Sequence, residues 1–160
     1  MKYLKRFENV YSPIENETEG KDIVYIDMDD TICDYMSHHN KMSKLNPDIK
    51  YPQSQKGFFL NLEPIEGAID AINQLRKKYD VYILTRPSYL NPHCYTEKRL
   101  WIEKYFGVDF CKKLIISPNK DLLMGDYLID DMPWPGFKGK QLQFGKPPYE
   151  NWEKILEFFE

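Results

Sequence analysis

The run Asp22-Ile23-Val24-Tyr25-Ile26-Asp27-Met28-Asp29-Asp30-Thr31 decides the fold. Its first half is a short β-branched and apolar stretch bounded by charges, the pattern of a strand buried on both faces, as strands of parallel sheets are. Its second half places three acids and a hydroxyl directly after that strand. In an extended segment residues i and i+2 point the same way, so the spacing puts Asp27 and Asp29 on one side.

Working outward, the same alternation repeats. Asp80–Thr85 reads as a second buried strand, Leu114–Ser117 as a third, Tyr127–Asp130 as a fourth and Lys140–Phe144 as a short fifth. Between them Ala68, Ile69, Ala71, Ile72 and Leu75 recur at helical spacing within residues 66–79, just after Pro64. Residues 95–106 read as a helix with Leu100, Trp101 and Phe106 on its apolar side, stopped by Gly107. Residues 149–159 form an amphipathic helix at the C-terminus. Strands alternating with helices predict an α/β fold: a Rossmann-like three-layer sandwich, with a mainly parallel sheet and helices on both faces. Residues 33–60 are too long for a simple loop and predict a small helical insertion after the first strand. Residues 1–20, polar and acidic at their end, read as an N-terminal arm before a domain spanning 21–160.

Composition narrows the class. The 160 residues suit one domain, with 42% hydrophobic and 29% charged residues. A net charge of −3 argues against a dedicated nucleic-acid coat, so no stable nucleic-acid partner is expected. The apolar runs stop at four residues, as in Ile23–Ile26, which predicts no membrane span. The first residues, MKYLKRFENVYSP, are charged and lack the apolar stretch of a signal peptide. Three cysteines without CxxC spacing predict neither a disulfide framework nor a zinc ribbon, and a cytoplasmic setting is expected.

Open parallel sheets bind ligands outside the carboxyl ends of their strands. Four predicted strands end there in Asp27-Met28-Asp29-Asp30-Thr31, Thr85-Arg86, Ser117-Pro118 followed by Lys120, and Asp130-Asp131. Clustered carboxylates repel one another unless a cation sits between them, and hard oxygen ligands of this kind hold Mg²⁺. A phosphate adds negative charge, which a lysine and a hydroxyl would neutralise. One carboxylate could then attack phosphorus while a second, two residues on, protonates the leaving oxygen. Elsewhere His38 and His39 read as solvated, Cys33 as a small buried side chain, and Pro133-Trp134-Pro135-Gly136 as a rigid turn beside the site.

Asp27-x-Asp29-x-Thr31, Thr85 after a strand, Lys120, and Asp130-Asp131 after a strand resemble the four ordered motifs of the haloacid dehalogenase superfamily of phosphatases. Within it the chain is most similar to the 5′(3′)-deoxyribonucleotidases, through Gly57–Ala68, Cys94–Gly107, Leu128–Asp131 and the last helix with Trp152. The resemblance implies a Mg²⁺-dependent phosphatase acting on deoxyribonucleoside monophosphates, 5′ or 3′, through an aspartyl-phosphate. It implies Asp27 as nucleophile and metal ligand, and Asp29 as acid/base whose carbonyl reaches the metal. Asp130 would be the third ligand, supported by Asp131. Thr85 and Lys120 would bind the phosphate, and Tyr35 and Phe59 would border the nucleobase. The insertion at 33–60 becomes a small cap. Asp30 stands where the family often has glycine, Arg86 where a small residue is common, and Met132 where relatives can carry arginine. Arg86 adds either a cation near the phosphate or a surface ion pair. The competing expectations are a phosphatase of another small ester or of a nucleic-acid 3′-phosphate, and a non-enzymatic binding module. The partner is a small molecule, and the chain is expected to be a monomer or homodimer.

Overall fold

A computed structural model describes residues 20–160, so the N-terminal arm, apart from Gly20, lies outside the described residues. Five strands form one sheet: β1 (Ile23–Ile26), β2 (Asp80–Thr85), β3 (Leu114–Ile116), β4 (Tyr127–Asp130) and β5 (Lys140–Gln143). Their order is β3-β2-β1-β4-β5 and every pairing is parallel, where the sequence predicted only a mainly parallel sheet. Val24 sits opposite Val81 on one side and Tyr127 on the other. Strand order reverses direction at β1, and such a switch point leaves a crevice at the carboxyl ends of the strands.

Four helices accompany the sheet: α1 (Tyr35–Leu45), α2 (Ala68–Lys78), α3 (Cys94–Phe106) and α4 (Trp152–Phe159). The first occupies the long segment after β1, followed by a 3₁₀ turn at Pro52–Ser54. α2 starts two residues later than its apolar spacing suggested, because Gly67 takes a left-handed φ of 78° and begins the helix there. Its face Ala68, Ala71, Ile72 and Leu75 is buried, and Arg76, Lys77 and Lys78 close its C-terminal turn, where cations are favoured. Burying a side chain such as Ile72 contributes about 1.5–3 kcal/mol.

Side chains alternate cleanly across the sheet. Val24, Ile26, Val81, Ile83, Ile129 and Leu142 join α2, α3 and α4 in the main core. Tyr25, Leu84 and Leu128 face the other way, onto Leu123, Trp134 and Phe137. The sequence predicted helices on both faces; among the described residues α2, α3 and α4 lie on one. Among the described residues the second outer layer is made of the irregular connections 117–126 and 131–139, relieved only by a 3₁₀ turn at Lys120–Leu122. One correction concerns α3: Trp101 is fully buried but Leu100 is exposed. The inward face instead follows Cys94, Glu97, Lys98, Trp101 and Ile102, so two charged residues share it.

Candidate active site

The carboxyl ends of β1 and β4 open on a cavity of about 370 Å³ that contains Asp27, Asp29, Lys120, Asp130 and Asp131 in its wall. Asp27 continues the β1–β4 ladder through its N–H to the Ile129 carbonyl at 2.9 Å, which fixes its backbone. Beyond it Asp30 adopts φ 54°, a left-handed conformation that Asp tolerates better than most residues. Its carboxylate accepts from the Met36 N–H at 2.8 Å, and Asp34 accepts from Ser37 at 3.1 Å. These two acids pin the start of α1, so the turn after the strand also places Tyr35 at the cavity. Thr31 is fully buried, and its hydroxyl accepts from the Asp131 N–H at 3.2 Å, joining the two acidic loops.

Two lysines without solvent exposure organise the acids. The Lys120 ammonium bridges Asp27 and Asp130. Lys98 reaches in from α3 and donates to Asp29 at 2.8 Å, to the Thr85 hydroxyl at 2.7 Å and to the Arg86 carbonyl at 2.8 Å. It also lies 5.0 Å from the centre of the Phe59 ring. Sequence reasoning noted Lys98 only inside a similar stretch and gave it no role. The signal was its position: it follows Cys94 by four residues and precedes Ile102 by four, on a buried helix face where an uncompensated charge is very costly. Glu97 beside it was missed in the same way. Its carboxylate accepts from Gly57 N–H at 2.6 Å and from Phe59 N–H at 3.1 Å, which holds the Phe59 ring at the cavity wall.

Thr85 does not stand in the cavity wall. It is fully buried one layer behind, its hydroxyl held by Lys98. Arg86 is exposed at the rim and makes no ion pair among the described residues; its guanidinium lies 5.6 Å from the centre of the Trp134 ring. Lys120 lies at the same distance from that ring, so the turn residue Trp134 borders the cavity. Tyr35 and Phe59 both line it, with ring centres 6.2 Å apart. His38 and His39 are half-buried rather than solvated, because they pack on Phe58 and Tyr35. Cys33 is fully buried, and burial pushes its thiol well above the ordinary value.

Electrostatics favour protons or a cation among these acids. Burial, and then the neighbouring Asp27 charge, push Asp130 up to about 6. Burial, with Asp27 and Asp130 adding to it, pushes Asp131 up to about 7. Asp29 is also raised by burial, against the opposing pull of Lys98. Asp27, Asp130 and Asp131 can each offer an oxygen within 4.8 Å of the others. Four acids (Asp27, Asp29, Asp130, Asp131) stand against two ammonium groups, an excess of two negative charges that one divalent cation would balance. An all-oxygen donor set of this kind suits Mg²⁺. Asp130 spends one oxygen on Lys120 and the other on the Met132 N–H at 2.9 Å, whereas the Asp131 carboxylate accepts no hydrogen bond from the described residues.

A parallel sheet with acids at the carboxyl ends of β1 and β4 defines a hydrolase of the haloacid dehalogenase fold. Solved structures agree on the fold. A HAD-hydrolase from Bacillus subtilis, bound to magnesium, superimposes with a TM-score of 0.60 at 15% identity, covering 88% of this chain and 99% of that one. A haloacid dehalogenase-like hydrolase from Xanthomonas campestris gives 0.53 at 13% identity, covering 88% and 87%. More narrowly, residues 44–154 match the family model described as 5′ nucleotidase, deoxy (pyrimidine), cytosolic type C protein. The chain is 37% identical over 144 residues to a Vibrio phage KVP40 protein named "Putative 5'(3')-deoxyribonucleotidase", covering 86% of this chain and 84% of that one. It is 38% identical over 102 residues to the human cytosolic-type 5′(3′)-deoxyribonucleotidase, covering 62% of this chain and 47% of the human protein. The chain belongs to this nucleotidase family, whose members are phosphoric monoester hydrolases.

Proposed function

We propose that this protein is a Mg²⁺-dependent phosphatase of deoxyribonucleoside monophosphates that works through an aspartyl-phosphate, in a reducing compartment such as the cytoplasm. The observation that carries the mechanism is the pairing of Asp27 with Lys120 and of Asp29 with Lys98 in one cavity. A Mg²⁺ ion would be held by the carboxylates of Asp27, Asp130 and Asp131 and the carbonyl of Asp29. When bound it would supply positive charge to the phosphate oxygens. We give Asp131 this role alongside the expected Asp130, since Asp131 alone of the two keeps its carboxylate oxygens open.

Asp27 attacks phosphorus, the bond from phosphorus to the ester oxygen breaks, and an acyl phosphate forms on Asp27. Asp29, whose protonated form burial favours, gives its proton to the departing nucleoside oxygen. Asp29 then takes a proton from water as that water's oxygen attacks phosphorus, releasing inorganic phosphate and restoring Asp27. Lys120 stabilises charge on the phosphate and on Asp27. Thr85, behind the cavity wall, accepts from Lys98 and so holds that lysine against Asp29. Arg86 approaches the phosphate from the rim, and the insertion carrying α1 caps the cavity. The rings of Tyr35 and Phe59 flank the base, where stacking contributes about 1–3 kcal/mol.

The test is phosphate release with Mg²⁺ from 3′ and 5′ deoxy- and ribonucleoside monophosphates beside simple sugar phosphates, with Asp27→Asn as the inactive control. Selective release from deoxynucleotides, lost in Asp27→Asn protein of wild-type fold, is the expected result. Activity on sugar phosphates alone would discard the nucleotide, and wild-type rates in Asp27→Asn would discard the mechanism.

A further inference from the structure

Two polar atoms of the cavity-lining residues, Gln53 Oε1 and Trp134 Nε1, are buried without a hydrogen-bond partner among the described residues. Leaving such an atom unpaired costs about 1–3 kcal/mol, and in a ligand cavity that cost is recovered when a bound molecule supplies the missing partner. Gln53 is well placed for this. It belongs to the 3₁₀ turn Pro52–Ser54, whose first residue is buried. Its main chain is clamped by Asn91, a fully buried residue of the loop after β2. The Asn91 amide donates to the carbonyls of Gln53 at 3.1 Å and Gln55 at 3.0 Å. The clamp fixes the turn to the same loop that begins with Arg86 after β2, so the Gln53 main chain keeps its station relative to the phosphate end of the cavity.

We infer that Gln53 reads the edge of the substrate's nucleobase, with Oε1 accepting a hydrogen bond from a ring or exocyclic N–H of the base. The inference rests on the proposed nucleotide substrate and names the residue that recognises it. Tyr35 and Phe59 offer faces, which every base satisfies, and faces alone discriminate weakly. Gln53 lines the cavity, and its carboxamide, once turned from its buried position toward a bound base, distinguishes bases by their edges. A carboxamide pairs its oxygen with a base N–H and its amide N–H with the neighbouring ring acceptor, so a base whose edge nitrogen is methylated loses the contact and meets a steric clash. Sites that hydrogen-bond a substrate N–H reject analogues lacking it far more strongly than apolar pockets reject a methylene.

The experiment compares kcat/KM for thymidine monophosphate and its N3-methyl derivative, with p-nitrophenyl phosphate as a substrate that has no base. Wild-type protein should prefer the unmethylated nucleotide by at least about tenfold. Gln53→Ala, which removes the acceptor and opens room for the methyl group, should bring that ratio close to one. Gln53→Met keeps the bulk without the acceptor and should lower the rate on thymidine monophosphate more than on p-nitrophenyl phosphate. An unchanged ratio in Gln53→Ala, or an equal loss on all three substrates, would overturn the assignment. If wild-type protein hydrolyses p-nitrophenyl phosphate but no nucleotide, the proposed substrate itself fails, an outcome separate from the other two.

Discussion

Lys98 holds three oxygens at once, those of Asp29, Thr85 and Arg86, from a position without solvent exposure. It touches no substrate in the proposed mechanism, and it acts by orienting Asp29, which does. Replacing it with methionine keeps the bulk and the helix while freeing the Asp29 carboxylate to rotate. A positioned acid contributes about 10²–10⁴-fold to proton transfer. Lys98→Met should therefore lower kcat by about 10²-fold on nucleotides, whose leaving alkoxide needs a proton. The loss of initial phosphate transfer from p-nitrophenyl phosphate, whose leaving group needs none, should be much smaller in rapid-mixing measurements. Equal losses on both substrates would assign Lys98 to the fold alone. Tyr35 is a contrasting case, since burial and the nearby Asp29 charge push its hydroxyl up to about 12, which keeps it a neutral hydrogen-bonding ring.

At the scale of elements, the entries to β4 and β5 approach each other backbone to backbone. A Cβ at Gly139 would overlap the carbonyl oxygens of Gly125 and Asp126, and backbone cannot yield as a flexible side chain does. Gly139→Ala should destabilise the protein by about 1–3 kcal/mol, read as a lower urea midpoint with an unchanged slope. A wild-type midpoint would show that this connection can shift. Strands and helices were legible because each carries its own period: β2 spans the predicted residues, and β4 ends at Asp130 as read. Asp27, Asp29 and Asp130 were legible because they follow apolar strands directly. Lys98, Glu97 and Gln53 were not, because each acts through a partner distant in sequence. Glu97 binds Gly57 and Phe59, and the Gln53 main chain depends on Asn91. The side on which the described helices pack was not legible, because alternation tells that helices exist, while their side depends on connection length and crossover hand.

Over the whole molecule, the acidic cluster ties stability to pH and, under the proposed function, to Mg²⁺. Asp131 moves from an ordinary 3.8 to about 7, and Asp130 to about 6. A carboxyl raised in the native state keeps its proton where the unfolded chain has lost it. Its stabilising contribution is therefore present at low pH and falls as pH rises from about 4 to about 7. A divalent cation competes with those protons, so its binding strengthens through the same window and restores what deprotonation removes. Thermal melts should show a Mg²⁺ gain that is larger at pH 8 than at pH 5.5. Asp131→Asn should melt higher than wild-type protein at pH 8 without metal, and should gain less from Mg²⁺. Parallel behaviour of the two proteins would remove Asp131 from the cation site.

The strand order has a consequence for synthesis of the chain. β1 lies between β2 and β4, and Asp27 at its end is closed in by Lys120, which arrives 93 residues later along the polypeptide, and by Asp130, ten residues further on. A nascent chain emerging from the ribosome can pair β1 with β2, and β2 with β3, early, yet the central strand keeps a bare edge until the crossover from β3 delivers β4. In the proposed mechanism hydrolysis cannot begin on a half-made molecule, and a fragment ending before Tyr127 would carry the proposed nucleophile while lacking the strand that completes its surroundings.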